Sequence, residues 1–289
     1  MTSNEVTYLK PPSYRHEIKP GLHPYIRDFR TLIVATFQTQ HPPASQRAKL
    51  VTDDGVKFLS GTRTGLKSLN VLELAYCNIT DDSILAFTHE GRSLATLTTL
   101  SLDNTKLSNP GATLLAHPAS GLKGLTRLSV TGTWINDIGV KELARTDTRL
   151  ANLMALNLRQ TATTDANAFA ISGSNSGLTQ LKELDISSTW LSDAGLKELS
   201  LPTRALKSLT RLQLASTFAS DASAMILASD STGLTLIAQP DMSQSKLTTQ
   251  GLQALHNRWP GNCNPFVQTD PDAGCSINSV LIAESLLHT

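Results

Sequence analysis

The chain has 289 residues, 40% of them hydrophobic but only 5% aromatic, so a core of this size must be filled by leucine and its aliphatic relatives. Twenty-five basic residues against 24 acidic leave a net charge of +1, which argues against nucleic acid or an anionic membrane as partner. The first residues hold no apolar run of signal-peptide kind, no stretch approaches about 18 apolar residues, and three cysteines are too few for a disulfide framework; a cytoplasmic protein that crosses no membrane is expected.

From the N-terminus, residues 1–50 carry seven basic side chains against three acidic ones, a bias too dilute for a nucleic-acid arm. A flexible segment is expected first. Tyr25, Phe29, Leu32, Ile33 and Phe37 then fall near helical spacing and predict a helix that caps the first repeat unit. Residues 51–59 (VTDDGVKFL) read as the helical half of that unit. Its strand half would occupy 38–50, where His41, Pro42, Pro43 and Gln46 break the leucine pattern.

From Leu66 a single unit recurs seven times at a period of 28 residues, its first leucine falling at Leu66, Leu94, Leu122, Leu150, Leu178, Leu206 and Leu234. Such a period signals a solenoid, whose units bury their apolar faces only against their neighbours. Within a unit, Leu-x-Leu steps such as Leu100 and Leu102 alternate as a strand does. A small hydrogen-bonding residue comes after the strand (Cys77, Thr105, Thr133, Thr161, Thr189, Thr217, Ser245), expected to turn inward and satisfy backbone groups where the chain leaves it. Next, Thr80, Ser108, Asn136, Thr164, Ser192, Ser220 and Thr248 share one register as helix N-caps, and Asp81, Asp137, Asp165, Asp193 and Asp221 place negative charge at the helix starts. Pro110 fits a first helical turn, where its missing N–H is tolerated.

A strand and a helix in 28 residues must close one turn of a right-handed coil, because parallel strands need crossovers of that hand. The fold predicted is therefore an α/β solenoid, a horseshoe with parallel strands on the concave face and helices on the convex one. Its array spans residues 51–261, one partial unit and seven full ones. The last unit decays, with Pro240 and Met242 in place of strand leucines, as suits an edge strand. Residues 262–289 are expected to cap it through Val280, Leu281, Ile282, Leu286 and Leu287. Cys263 and Cys275 read as two thiols in that cap, a disulfide-closed loop being the alternative.

Segments such as 156–161 (LNLRQT) and 189–196 (TWLSDAGL) resemble leucine-rich repeats, closest to the ribonuclease-inhibitor-like and cysteine-containing F-box subtypes with their L-x-x-C/T-x-[IL]-[TS]-D-x-[GA]-[LI] core. The resemblance covers roughly residues 50–260. It departs from the F-box pattern in keeping cysteine only at Cys77, with threonine elsewhere. It implies a non-catalytic scaffold for a protein partner. A substrate-recognition subunit of a ubiquitin ligase, a bacterial effector and a GTPase-activating protein are the alternatives it brings.

Binding residues are sought where the repeat varies. The position after the buried threonine reads Asn78, Lys106, Trp134, Ala162, Trp190, Phe218 and Lys246, and the resemblance implies that this side chain is exposed. Strand spacing of about 4.8 Å predicts contact between Trp190 and Phe218, with Trp134 about 10 Å from Trp190 across Ala162. Exposed tryptophans concentrate binding energy. Trp134, Trp190 and Phe218 are therefore candidate partner-binding residues, joined by Tyr76, Arg127, Arg159 and Arg211 from the face beside the strand leucines. The seven histidines show no metal spacing and pair with no nucleophile, and Asp53–Asp54 and Asp81–Asp82 are helix starts; no catalytic residue, metal or cofactor is expected. A monomer is anticipated.

Overall fold

The computed structural model describes residues 31–33, 51–59, 69–88, 95–202, 206–238 and 240–260. Strands and helices alternate: β1 (Thr31–Ile33), α1 (Asp53–Leu59), β2 (Val71–Glu73), α2 (Asp81–Thr88), β3 (Thr99–Ser101), α3 (Asn109–Ala116), β4 (Arg127–Ser129), α4 (Asp137–Leu143), β5 (Ala155–Asn157), α5 (Asp165–Ser172), β6 (Glu183–Asp185), α6 (Asp193–Leu199), β7 (Arg211–Gln213), α7 (Asp221–Ala228) and α8 (Thr249–Arg258). The seven strands form one open parallel sheet in sequential order. From β2 onward each strand pairs with the next in the 28-residue register, Leu72 with Leu100, Leu128, Leu156, Leu184 and Leu212 in turn.

At the N-terminal end the expected helix gives way to a strand. Leu32 and Ile33 lie in β1, parallel to β2, and not in a capping helix; the strand that opens the array is this one, upstream of the 38–50 segment. Tyr25, Phe29 and Phe37 lie outside the described residues, as do Cys263, Cys275 and the cap expected over 262–289. At the far end Gln213 makes a single parallel bridge to Asp241, and Met242 is buried in the leucine column, as a decayed edge unit should be.

Each strand is three residues long, and in β2 to β7 only the central leucine is buried, so the sheet supplies one layer of the core and the flanking loops and the helices supply the rest. Columns of like residues run the length of the array. Leu102, Val130, Leu158, Ile186 and Leu214 form one, and Leu107, Ile135, Leu191 and Ala219 another. Thr163, 1% exposed, interrupts the second column and hydrogen-bonds the Thr161 hydroxyl at 3.2 Å.

The buried threonines act as anticipated. The hydroxyls of Thr105, Thr133, Thr161, Thr189 and Thr217 donate to the carbonyl three residues back at 2.6–2.7 Å. The Cys77 thiol occupies the same place, and burial pushes its pKa up to about 11. One residue earlier the chain turns through positive φ at Tyr76, Asn104, Gln160, Ser188, Ser216 and Gln244, and at Gly132. This left-handed step swings the backbone from the sheet toward the helix in every unit.

The N-caps form in register. Asn136, Thr164, Ser192, Ser220 and Thr248 each accept from the N–H two residues on. Ser108 makes no such bond because the residue two on is Pro110, which has no N–H. Its hydroxyl donates instead to Asp81 Oδ2 at 2.5 Å.

That last bond belongs to a ladder. The aspartate opening each helix accepts from the N-cap residue of the following unit, backbone and side chain together: Asp53 from Thr80, Asp81 from Ser108, Asp137 from Thr164, Asp165 from Ser192, Asp193 from Ser220 and Asp221 from Thr248. Asn109 takes the role once, its Oδ1 receiving the N–H groups of Asn136 and Gly139. The helix-start charge read from the sequence is therefore also the bolt between units.

Candidate interaction edge

Beyond the buried threonine a second ladder sets the exposed row. The N–H groups of Trp134, Ala162, Trp190, Phe218 and Lys246 each donate to a carbonyl of the preceding unit, those of Leu107, Ile135, Thr163, Leu191 and Ala219, at 2.9–3.2 Å. Backbone pairing thus fixes the row at strand spacing and turns its side chains to solvent. Trp134 is 65% exposed, Trp190 63% and Phe218 42%. The Trp190 and Phe218 rings stack with centroids 5.5 Å apart and planes 11° from parallel. Lys246 Nζ sits 4.6 Å from the Phe218 centroid on the row's next step, a cation–π contact. Trp134 and Trp190 stand two units apart with the small, exposed side chain of Ala162 between them.

A parallel row lies four residues further on, at the second position of each helix. Ile138, Ala166, Ala194 and Ala222 are all exposed and uncharged, and Ile138 is 64% exposed. Sequence reasoning passed over this row. The signal was there: the same position is Asp54 and Asp82 in the first two helices and loses its charge from α3 onward. The aspartates between the two rows direct their oxygens at the next unit, so from α4 to α7 two rows of uncharged side chains flank a line of hydrogen-bonded, still charged carboxylates.

The remaining candidates are scattered. Tyr76 is 54% exposed but occupies the left-handed turn of the first full unit, off the row and four units from Trp190. Arg127 and Arg211 line a shallow concave groove of about 250 Å³ with Ser129, Asn157, Asp185 and Gln213, whereas Arg159 does not. Arg127 reaches across Ala155 to Glu183, both guanidinium nitrogens at 3.4 Å from its carboxylate. Ala75 and Ser187, which share the register of Arg159, are buried at the turn. Among the described residues, no group of three or more histidine, cysteine, aspartate or glutamate side chains is placed to hold a metal ion, and no helix is long and apolar enough to cross a membrane.

The family description "Leucine Rich repeat" matches three stretches of the chain, residues 65–87, 125–144 and 177–200. Each falls on a strand, its left-handed turn and the following helix, in the register of the sheet. The chain carries leucine-rich repeats. No curated protein matches it. The leucine-rich repeat architecture accounts for the inward leucines and the open parallel sheet. Leucine-rich repeats generally serve to bind proteins, and in this array the side chains that the repeat does not require are the edge aromatics.

Proposed function

We propose that this leucine-rich repeat array is a non-catalytic scaffold that holds a protein partner along its aromatic edge, with the concave groove as a secondary polar surface. One observation carries the reading: Trp134, Trp190 and Phe218 stand exposed on an edge whose backbone N–H groups are paired to the preceding unit. Contiguous exposed apolar surface marks interaction sites, and tryptophan is the residue in which binding energy concentrates. The helix-start aspartates are engaged in bolting units together.

The test is capture from lysate by the whole chain and by a Trp134→Ala, Trp190→Ala variant. The variant is expected to lose the partner while its unfolding free energy stays within about 1 kcal/mol, as surface changes generally do. Undiminished capture, or a large loss of stability showing that the rings are structural, would sink the proposal. The identity of the captured protein separates the narrower readings: ubiquitin-ligase adaptors favour a substrate receptor, a host signalling protein an effector, a small GTPase a GTPase regulator.

A further inference from the structure

We infer that residues 277–287 of the chain itself close the C-terminal end of the array, their carbonyls taking two backbone donors of the last unit and their apolar side chains covering its outer face. The inference is independent of the partner-binding reading of the aromatic edge.

The sheet backbone supplies the first observation. From β2 onward two N–H groups of each unit donate to the unit that follows. Leu214 and Ser216 donate to the carbonyls of Asp241 and Ser243 at 2.7 and 2.8 Å, and the same two positions do so in the five units before, from Leu74 and Tyr76 onward. The next pair in register, Met242 and Gln244, finds no acceptor among the described residues. Two ladder donors are thus left over at the end of the array.

Burial supplies the second. Met242 is 1% exposed and Leu255 2%, as deep as the leucines of the inner units, although no unit follows them among the described residues. Side chains at the open end of a solenoid are wetted from their outer side, so a further segment lies over these two. A buried N–H without an acceptor is rare and costly, and the covering segment must therefore bring carbonyls as well. Around this spot Leu247 and Trp259 are partly buried and Leu236 is exposed, an apolar rim on which side chains can seat.

The sequence beyond Pro260 names the occupant. Its apolar residues gather at Ile277, Val280, Leu281, Ile282, Leu286 and Leu287, with Glu284 the one charge among residues 277–287. Residues 261–276 hold Gly261, Pro265, Pro271 and Gly274, the composition of a connection. Inner units pass from helix to next strand through residues 144–154 or 200–210. The stretch 259–276 is longer than either and has the reach to bring Ile277 back to the sheet edge. A second copy is the other occupant such an edge invites, because unpaired strand edges template pairing. The chain's own segment is tethered beside the edge at high effective concentration and displaces it.

Hydrogen exchange of the full chain, followed amide by amide alongside sedimentation, tests this. The Met242 and Gln244 amides should be protected at concentrations where the chain sediments as a monomer. Leu281→Asp with Ile282→Asp should speed their exchange roughly tenfold or more, while the Leu158 and Ile186 amides keep their protection. Should that variant lose the inner protection too, Leu281→Ala takes its place, with the same two amides quickened and the inner ones unchanged. Unprotected Met242 and Gln244 amides in the parent chain, or exchange that the substitutions leave untouched, overturns the inference. Protection found only where the chain sediments as a dimer assigns the edge to a second copy and overturns it as well.

Discussion

Asp193 accepts from the N–H and hydroxyl of Ser220 and from the N–H and hydroxyl of Ser223, 27 and 30 residues further on. Burial alone would raise its pKa; the hydrogen bonds from Ser220 and Ser223 outweigh burial and hold it below the ordinary carboxylate value. Asp53 is lowered likewise, against burial, by Ser83 and Thr80 with help from Lys57, and Asp221 chiefly by the Thr248 hydroxyl. A carboxyl lowered in the folded chain stabilises it at pH above the unfolded value, and that contribution is lost as pH falls through the folded value. The urea midpoint should therefore be nearly flat from neutrality down to about pH 4 and then fall, since unfolded aspartate titrates near 3.9. A midpoint that rose with acidification would contradict the ladder. At the same register Asn167, 3% exposed, finds no hydrogen-bond partner for either side-chain atom, where Ser83 and Ser223 donate to the preceding aspartate. Asn167→Ser is expected to stabilise the chain by about 1 kcal/mol, by removing two buried unsatisfied groups and supplying a donor to Asp137. Chemical denaturation checks it.

The spacing between helices depends on that same position. Helix pairs α3–α4, α5–α6 and α7–α8 share more close backbone approaches than α4–α5 and α6–α7 do. The close pairs present Gly139, Gly195 or Gly251 to the preceding unit, and the looser ones present Asn167 or Ser223. A Cβ added at Gly195 would overlap Asp165 Oδ1 and Leu191 Cδ1, and lie 3.1 Å from the Asp165 Cα. Gly195→Ala should therefore cost about 1–3 kcal/mol through overpacking. Gly55→Ala, with nothing within 4 Å of the added carbon, should instead gain about 0.5–1 kcal/mol from helix propensity. Paired thermal melts would show the opposite signs, and equal signs would refute the packing argument. The repeat unit, its N-caps and its leucine columns were legible because each is a local pattern in the sequence. The opposite roles of Gly55 and Gly195 were not, because both read as the same D-x-G and differ only in what the neighbouring unit puts against them.

At the scale of the whole array, units pack chiefly on their neighbours, so a fault in one is shared by two interfaces; the exposed Arg127–Glu183 pair is a contact that spans a unit. Leu184, 1% exposed, lies between Leu156 and Leu212 in the central column of the sheet. Leu184→Ala should cost about 2–5 kcal/mol by leaving a cavity there. A neutral result in urea unfolding would mean that the register is misdrawn. The sequence by itself determined the 28-residue unit, the α/β solenoid with its inward leucines, the turned-in threonines and the contact of Trp190 with Phe218, because periodicity and strand pitch place like residues side by side. Only the tertiary structure decided that β1 at 31–33 opens the sheet, that the aspartates bind the unit ahead, and that Arg127 is tied to Glu183. It alone decided that Ile138 and the alanines lay a second uncharged row beside the aromatic edge. Those features join residues 27 to 56 positions apart, across a distance at which a sequence pattern records the repeat but not which atoms meet.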